Sequence, residues 1–429
     1  MKVERTDKSP TQVSLIITAD QHDLTPIKNH VLRHFASEVK VPGFRAGTAP
    51  AALVEKHVDQ RVLADKFIDH ALNSLYGRAI DQEKLRPASK PEVQLKKFVP
   101  FTDLEFEVHL DVIGPIKLPD YKKIKLTKKL AEVTAKDVNG VIKSLQLRAA
   151  LRSEVDRAAK AGDEVTIDFR GTDKEGKPMA GADGKDYPLM LGSGTFIPGF
   201  EDNLTGAAAG DKKKFTITFP TNYDAKGLAG KPVTFAVEVK KVNEVIEPKV
   251  DGEFASKVGP FKTVAELKAD IKKQLKAEKQ LQANREYENE LVRKISEKSE
   301  AEVPKSLVDE QIARGEEDEK RDLMNRGQTW QEHLDAEGVT ADEHFERKRP
   351  EAEQRVKAGL VLSEVAEKED IFVTPEELET RIKILKGQYQ DPQMQGELDK
   401  PENQRDIAAR LMTEKTVAKL VEYSTSSGK

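Results

Sequence analysis

The chain has 429 residues, which is too long for one ordinary hydrophobic core and predicts several domains. Charged residues make up 34% of it and aromatic residues 6%, but the net charge of -4 does not indicate general attraction to nucleic acid. The absence of cysteine excludes disulfides, thiolate nucleophiles and cysteine-ligated zinc. A charged N-terminus and the lack of any long apolar run predict an untargeted, soluble protein, most simply a cytoplasmic one.

The first part of the chain combines strand and helix patterns. Residues 12–18 are typical of a strand, and in residues 104–112 apolar and polar side chains alternate, as in a strand with one buried face. Between them, one apolar stripe predicts a helix with Thr25 as its N-cap, and a second stripe predicts a single helix after Pro50. Residues 1–112 are therefore predicted to form an α+β domain.

The sequence then changes character twice. Residues 113–150 begin with extended, proline-containing sequence and end in a helical pattern that continues to about residue 155, so they are predicted to be a connector. Glycine, proline and short strand patterns predict a compact β-rich domain from Gly162 to about Val242. Residues 244–429 have long, charged helical patterns, which predict an all-α region with much exposed surface. Helix starts of the capping-box type lie at Thr263, Thr340 and Thr374.

A rigid turn is predicted between the first two helices, in the octapeptide GFRAGTAP at residues 43–50. Gly43 and Gly47 can adopt positive φ and the flanking prolines restrict φ, so the turn should present Phe44 and Arg45 outward. A phenyl ring beside a guanidinium suits a partner with an acidic or phosphate group next to an apolar spot. Spacing alone favours the alternative, in which Phe44 folds inward and Arg45 is merely solvated.

The octapeptide closely resembles the ribosome-binding signature Gly-Phe-Arg-x-Gly-x-x-Pro of the bacterial trigger factor family. Every fixed position of that signature is present, as Gly43, Phe44, Arg45, Gly47 and Pro50. The resemblance implies that this turn docks on the large ribosomal subunit beside the polypeptide exit. The implied contact is with ribosomal protein, and a further contact with rRNA stays open. Ala46 follows the arginine where many relatives have lysine, which implies a slightly smaller charge contribution to the affinity.

Residues 162–242 resemble an FKBP-type prolyl isomerase, most clearly in the segment LGSGTFIPGFEDNLTGAAAGDKKKFTI. The pocket-floor motif Ile-x-Gly-aromatic-Glu of that family is matched by Ile197, Gly199, Phe200 and Glu201. The resemblance implies an apolar pocket lined by Phe169, Tyr187, Phe196, Ile197, Phe200, Tyr223 and Phe235.

Two positions depart from the pattern of single-domain immunophilins. Phe200 replaces their tryptophan, and Met179 or Ala180 stands near their polar aspartate. The missing carboxylate implies weaker binding of macrocyclic inhibitors and modest turnover on short peptides.

Rotation of an X-Pro amide breaks no σ bond, so this chemistry needs no nucleophile, base, metal or cofactor. The barrier of about 20 kcal/mol comes from the loss of amide resonance in the twisted state. An apolar pocket lowers it by removing water from the planar amide and by selecting the twisted geometry. The alternative, in which the aromatic residues only fill a barrel core, accounts for Phe215 and Phe219 but poorly for a contiguous floor motif.

The resemblance covers nearly the whole chain and implies an α+β multidomain protein. Its parts are a ribosome-binding domain at 1–112, the connector packed with the C-terminal domain, an FKBP-like domain at 151–243, and an all-α chaperone domain with arm-like helices at 244–429. It implies a cytoplasmic chaperone that holds nascent and unfolded polypeptides and isomerises X-Pro bonds, with no DNA or membrane partner. A homodimer off the ribosome stays open, and the family also implies a link to cell division and the cell cycle.

Two other functions remain open at this point. One is a stand-alone prolyl isomerase whose flanking domains only recruit substrates. The other is a holdase in which isomerase activity is incidental, and we favour holding as the principal role.

Two further patterns do not predict sites. His30 and His34 lie four residues apart on a predicted helix, but no third ligand follows in register, so no metal site is predicted. The segment GSGTFIPG superficially resembles a phosphate-binding loop, yet it lacks the GK[ST] ending and the βαβ context. No nucleotide or other cofactor is therefore predicted.

Overall fold

A computed structural model describes the chain apart from residue 46, residues 129–131, 222, 224–227 and 427–429, and apart from the side chains of Ala180 and Ser426. The chain forms two compact units. The first comprises Met1–Leu126, Glu288–Gly327 and Ala341–Lys429, and the second Thr127–Tyr287 and Gln328–Thr340.

The N-terminal part of the first unit is a four-stranded antiparallel sheet in the order β1-β2-β4-β3. Its strands are β1 (Lys2–Ser9), β2 (Gln12–Asp20), β3 (Glu92–Val99) and β4 (Asp103–Asp111). Alternate residues of β4 are buried, and they form one core with residues of two helices that cover this face. The strand predictions near residues 12 and 104 therefore agree with the structure.

The helices of this part differ from the prediction at two boundaries. They are α1 (Gln21–Glu38), α2 (Ala51–His57) and α3 (Gln60–Glu83). Thr25 as N-cap was wrong, because the carboxylate of Asp20 caps α1 five residues earlier by accepting the N–H groups of His22 and Asp23. One helix after Pro50 was also wrong, because a new helix starts where Asp59 accepts two backbone N–H groups.

Helices dominate the chain after residue 126, except for one sheet. They are α4 (Ala135–Arg148), α5 (Phe200–Leu204), α6 (Gly252–Val258), α7 (Val264–Lys298), α8 (Lys305–Asn325), α9 (Trp330–Glu337), α10 (Ala341–Lys368), α11 (Pro375–Lys386), α12 (Pro392–Glu397) and α13 (Pro401–Ser426). Thr374 forms its predicted capping box with Glu377, and α7 and α10 begin directly after the predicted caps Thr263 and Thr340. Among the described residues, no helix combines the length and apolar character needed to cross a membrane.

The second unit contains a five-stranded antiparallel sheet built on one long central strand. Its strands are β5 (Leu151–Glu154), β6 (Glu164–Thr172), β7 (Pro178–Met190), β8 (Lys212–Thr218) and β9 (Pro232–Ile246). One edge of β9 pairs with β6, and the other edge pairs first with β8 and then with β5. The helical pattern predicted up to about residue 155 was wrong at its end, because the open edge of β9 takes up residues 151–154 as a strand.

The helix α4 packs on helices that come more than a hundred residues later. Val138 and Ile142 share a core with Phe254, Leu267 and Ile271 of α6 and α7. The ammonium of Lys279 lies 2.8 Å from the carboxylate of Asp137, at the capping box that starts α4.

One carboxylate ties three chain segments of the first unit together. Glu369, directly after α10, accepts hydrogen bonds from the hydroxyls of Tyr121 at 2.6 Å and Tyr423 at 2.5 Å. The ammonium of Lys122 lies 2.8 Å away, and the Glu369 side chain is only 11% exposed. Lys122 and the two hydroxyls lower the pKa of Glu369 to about 2, against the effect of burial. The contact therefore holds α13 on the segment that follows the N-terminal sheet.

We expect Glu369→Ala to weaken this attachment, because both tyrosine hydroxyls and an ammonium lose their acceptor. Opening of α13 should become easier by about 2 kcal/mol, measured by amide hydrogen exchange of residues 401–426. Glu367→Ala is the matched control, since this carboxylate is 73% exposed and lies 3.9 Å from Arg86. Equal loss of protection in the two variants would contradict the assigned role.

Candidate functional site

The predicted turn at residues 43–50 belongs to the first unit and is anchored by packing and by hydrogen bonds. Val41 is buried in a small core with Val31, Leu32 and Val54, which fixes the chain just before the octapeptide. The N–H of Gly47 donates to the carbonyl of Ala36 at 2.7 Å and so fastens the far side of the turn to α1. The turn is therefore held at both ends.

The turn leaves its two characteristic side chains accessible. Gly43 and Gly47 have φ of 85° and 84°, in the left-handed region that favours glycine. Phe44 is 44% exposed and does not belong to the core of its own domain, so the alternative with an inward ring is not what the structure has. Arg45 is exposed, and among the described residues its guanidinium has no ion-pair partner.

Around this turn, the nearby cations of the prediction are accessible as well. Lys40, Lys56 and Arg61 are all exposed. Pro50 directly precedes α2, and Thr48 fastens the turn internally by donating its N–H and its hydroxyl to the carbonyl of Arg45. Ala46, for which the sequence implies a smaller charge contribution, lies outside the described residues.

In the second unit, aromatic side chains converge on a cavity of about 350 Å³. Six residues expected from the resemblance line it, namely Phe169, Tyr187, Phe196, Ile197, Tyr223 and Phe235. Phe169 comes from β6, Tyr187 from β7 and Phe235 from β9, whereas Phe196 and Ile197 come from the loop before α5. The rings of Phe169, Tyr187 and Phe196 meet edge to face with centroids 5.5–5.9 Å apart. The wall is thus made by mutually supporting rings.

Phe200 has a different place from the other expected residues. It is fully buried and does not line the cavity, but its ring centroid lies 4.3 Å from that of Phe196 and 5.1 Å from that of Phe235. It therefore supports the wall from below.

Phe219, which the alternative interpretation of the sequence explains as a barrel-core residue, also lines the cavity. Its ring lies 4.8 Å from that of Tyr223. A signal was present in the sequence, because Phe219 is the last in a row of alternating apolar residues and stands directly before Pro220, which lines the cavity as well.

The loop that carries Phe196 is held by the last residue of the floor motif. The buried carboxylate of Glu201 accepts the N–H groups of Gly192, Gly194 and Phe196 at 2.8, 3.1 and 3.2 Å, and the hydroxyl of Ser193 at 3.1 Å. Burial opposes ionisation of Glu201, but these donors together hold its pKa below the ordinary value. The N–H groups of a loop that superficially resembles a phosphate-binding loop are thus bound to the protein's own carboxylate.

The arrangement is suited to conformational catalysis. The wall is largely apolar, and among the described residues that line it the titratable side chains are those of Tyr187 and Tyr223, so it offers a proline ring an apolar surface in place of water. Removal of water from the amide carbonyl disfavours the planar resonance form and so lowers the barrier to rotation. Met179 is partly buried and packs against the hydrophobic core of the isomerase sheet.

An antiparallel sheet around a short helix, with a cavity of aromatic rings, defines a prolyl isomerase domain of the FKBP type. The family model described as FKBP-type peptidyl-prolyl cis-trans isomerase matches residues 155–240. The model of the bacterial trigger factor protein matches residues 1–145, and that of its C-terminus matches residues 263–422.

Full-length relatives agree with these matches. The trigger factor of Carboxydothermus hydrogenoformans is 33% identical over 423 residues, which cover 98% of this chain and 99% of the relative. That of Pelotomaculum thermopropionicum is 32% identical over 422 residues, 98% of this chain and 96% of the relative. A solved chain from work on promiscuous substrate recognition in folding and assembly activities of the trigger factor chaperone is 20% identical, with a TM-score of 0.44 and coverage of 98% and 99%.

The chain belongs to the trigger factor family. It is a ribosome-associated chaperone that interacts with nascent chains, and its FKBP-type domain has peptidyl-prolyl cis-trans isomerase activity. Its fold is that of an α+β multidomain protein with an all-α C-terminal part.

We expect Glu201 to make the loop at residues 192–196 sensitive to acid. The pKa in the folded state lies below the ordinary value of 4.5, so the stabilisation is fully present above pH 4.5 and is lost as the pH falls through the lower, folded-state pKa. Glu201→Gln should ease opening of the loop by roughly 1–3 kcal/mol at pH 7. Its difference from the parent protein should shrink below pH 4.5.

Amide hydrogen exchange of the loop as a function of pH measures this difference. Glu175→Gln serves as control, because Glu175 lies in the same domain and is 73% exposed. A difference between parent and Glu201→Gln that stays constant down to pH 3 would show that the carboxylate does not hold the loop.

Proposed function

We propose that the turn at residues 43–50 is the ribosome-docking element of this protein. Gly43, Gly47 and Pro50 shape the turn, while Phe44 and Arg45 contact the large subunit. The observation that supports this role is an exposed phenyl ring beside a guanidinium that has no ion-pair partner in the described part of the chain, on a turn held at both ends. Exposed cations nearby favour rRNA phosphate as a further contact besides ribosomal protein.

The domains then have the following roles. Residues 1–112 bind the ribosome, residues 151–243 isomerise X-Pro bonds, and residues 244–429 hold polypeptide. Residues 113–150 connect the first two and belong structurally to the helical region, in line with the shared core of α4, α6 and α7. The lack of cysteine and the family support action in the cytoplasm. Dimerisation off the ribosome and a link to cell division stay predictions.

Isomerisation is carried by the seven aromatic and aliphatic residues expected from the resemblance. Phe169, Tyr187, Phe196, Ile197, Tyr223 and Phe235 contact the prolyl segment, and Phe200 fixes the position of Phe196. No proton transfer is needed, so the rate depends on the shape and dryness of the wall.

Holding of unfolded polypeptide is the principal role, with isomerisation secondary to it. The C-terminal region supports this view, because it exposes large apolar side chains singly among charged ones. In the described part of this region they include Met324, Phe372, Ile384, Tyr389 and Met394. Scattered apolar contacts on a charged surface suit weak binding of many sequences.

We expect the double substitution Phe44→Ala and Arg45→Ala to weaken ribosome binding by at least about tenfold, as for residues at the centre of an interface. Co-sedimentation with ribosomes measures the effect, and the circular dichroism spectrum should stay unchanged because neither side chain belongs to a core.

The matched control is the double substitution Lys90→Ala and Val93→Ala in the same domain. Lys90 is an exposed cation, and Val93 is an apolar residue with the same 44% exposure as Phe44. Binding that is equal in the two double variants would count against the docking role of the turn.

A second experiment separates holding from isomerisation. Tyr187→Ala with Phe196→Ala removes two exposed or half-buried rings of the wall and should lower kcat/KM on a prolyl peptide by roughly 10–100-fold. Suppression of aggregation of an unfolded client should stay within about twofold of the parent protein, because holding depends on another region.

Phe215→Leu is the control, because Phe215 packs on Phe200 in the barrel core but does not line the cavity. If aggregation suppression fell in parallel with kcat/KM, the protein would act mainly as an isomerase whose other domains recruit substrates.

A further inference from the structure

The isomerase sheet contains an irregularity next to the cavity wall. Ile167 of β6 pairs with Tyr187 of β7, but Phe169, two residues on, pairs with Gly184, three residues back. One extra residue of β7 therefore lies in residues 184–186, which we call the bulge segment. A bulge bends its strand and changes the direction of the side chains beside it. Each of the two strand pairs that flank the bulge contains a wall residue. Tyr187 belongs to one pair and Phe169 to the other.

An ionic contact holds the bulge segment in place. Asp186 has φ of 49°, which few residues other than glycine, asparagine and aspartate adopt readily. Its N–H donates to Oδ1 of Asp168 at 2.7 Å. The ammonium of Lys240 lies 2.9 Å from Asp168 and 2.7 Å from the carboxylate of Asp186. These three charged side chains do not line the aromatic cavity, so they do not touch a bound prolyl segment directly.

Gly184 leaves the space that the ring of Phe169 occupies. A Cβ atom at position 184 would lie 2.6 Å from Cε1 and 2.9 Å from Cζ of Phe169, closer than real Cβ contacts. The φ of Gly184 is not positive, so the constraint comes from this contact rather than from the backbone. The ring cannot yield freely, because it also meets the rings of Tyr187 and Phe196 at 5.9 and 5.6 Å.

We infer that Gly184 and Asp168 are positioning residues for X-Pro isomerisation. Gly184 leaves room for the ring of Phe169, and Asp168 fixes the bulge segment that sets the angle between Phe169 and Tyr187. The inference rests on the proposed function of the aromatic cavity. Neither Gly184 nor Asp168 lines the cavity, so both act on the substrate through the wall residues Phe169 and Tyr187.

A double-mutant cycle in the full-length protein tests the role of Gly184. Gly184→Ala should lower kcat/KM on a prolyl tetrapeptide by about tenfold, because it displaces a wall ring by a substantial fraction of an ångström. Phe169→Leu should lower kcat/KM by itself. Adding Gly184→Ala to Phe169→Leu should then cost less than about twofold, since the smaller side chain leaves room for the new methyl group.

A general loss of stability needs a separate control. Val242→Ala removes a fully buried side chain from the same core, but it does not change the cavity wall. It should lower the Tm of the domain and leave kcat/KM within about twofold. The ring-proton resonances of Tyr187 should move in Gly184→Ala and stay in place in Val242→Ala.

Asp168 is tested by a conservative pair of variants. Asp168→Ala removes the acceptor for the N–H of Asp186 and should lower kcat/KM by roughly fivefold through misplacement of the wall. Asp168→Asn keeps an oxygen acceptor and should restore most of that loss. Equal losses in the two variants would overturn the role given to this hydrogen bond.

The outcomes separate the inference from the proposed function. Unchanged kcat/KM in Phe169→Leu would mean that the cavity is not the isomerase site, and both would fall. A loss in Phe169→Leu with none in Gly184→Ala would overturn the positioning role alone. A third result is that Gly184→Ala lowers kcat/KM by the same factor in the parent protein and in the Phe169→Leu variant. That result would overturn the positioning role too, because the glycine would then act independently of the Phe169 ring.

Discussion

The isomerase domain depends on the burial of one ring. Phe200 has no exposed surface and contacts the rings of Phe169, Phe196 and Phe235. The next residue, Glu201, accepts hydrogen bonds from N–H groups of the loop that carries Phe196. Two consecutive residues therefore fix one wall of the cavity, one by apolar packing and one by charge-assisted hydrogen bonds.

In this highly charged chain, a few aromatic and ionic contacts hold distant segments together. With 34% charged and 6% aromatic residues, apolar material is scarce, and the aromatic cluster is concentrated in the isomerase sheet. Elsewhere ionic and hydroxyl contacts replace it, as where Glu369 joins Tyr121 to Tyr423. Long helices with narrow apolar stripes leave their other faces exposed, which fits the proposed role of this region in holding unfolded polypeptide.

The predictions that agree with the structure rest on local chemistry. The glycines around Phe44 permit a left-handed backbone and the prolines restrict φ, and Thr374 finds its capping partner three residues along the chain. The wrong predictions concern boundaries where two local solutions compete. Apolar periodicity runs through Val58 without a break, but Asp59 can cap a new helix there. The segment 151–154 could continue a helix, and only the edge of a distant strand makes it β5.

The sequence by itself determined the family, the order of the domains in the chain, and which aromatic residues belong to the isomerase region. These follow from short motifs whose residues are neighbours in the chain. Only the tertiary structure decided that Phe200 lies beneath the cavity while Phe219 lines it, and that Gly184 faces Phe169. For Gly184 the physical reason is strand register: one extra residue in β7 changes which side chains meet across the sheet, and no local pattern specifies that pairing. The places of Phe200 and Phe219 depend instead on packing against Phe235, a residue of a later strand.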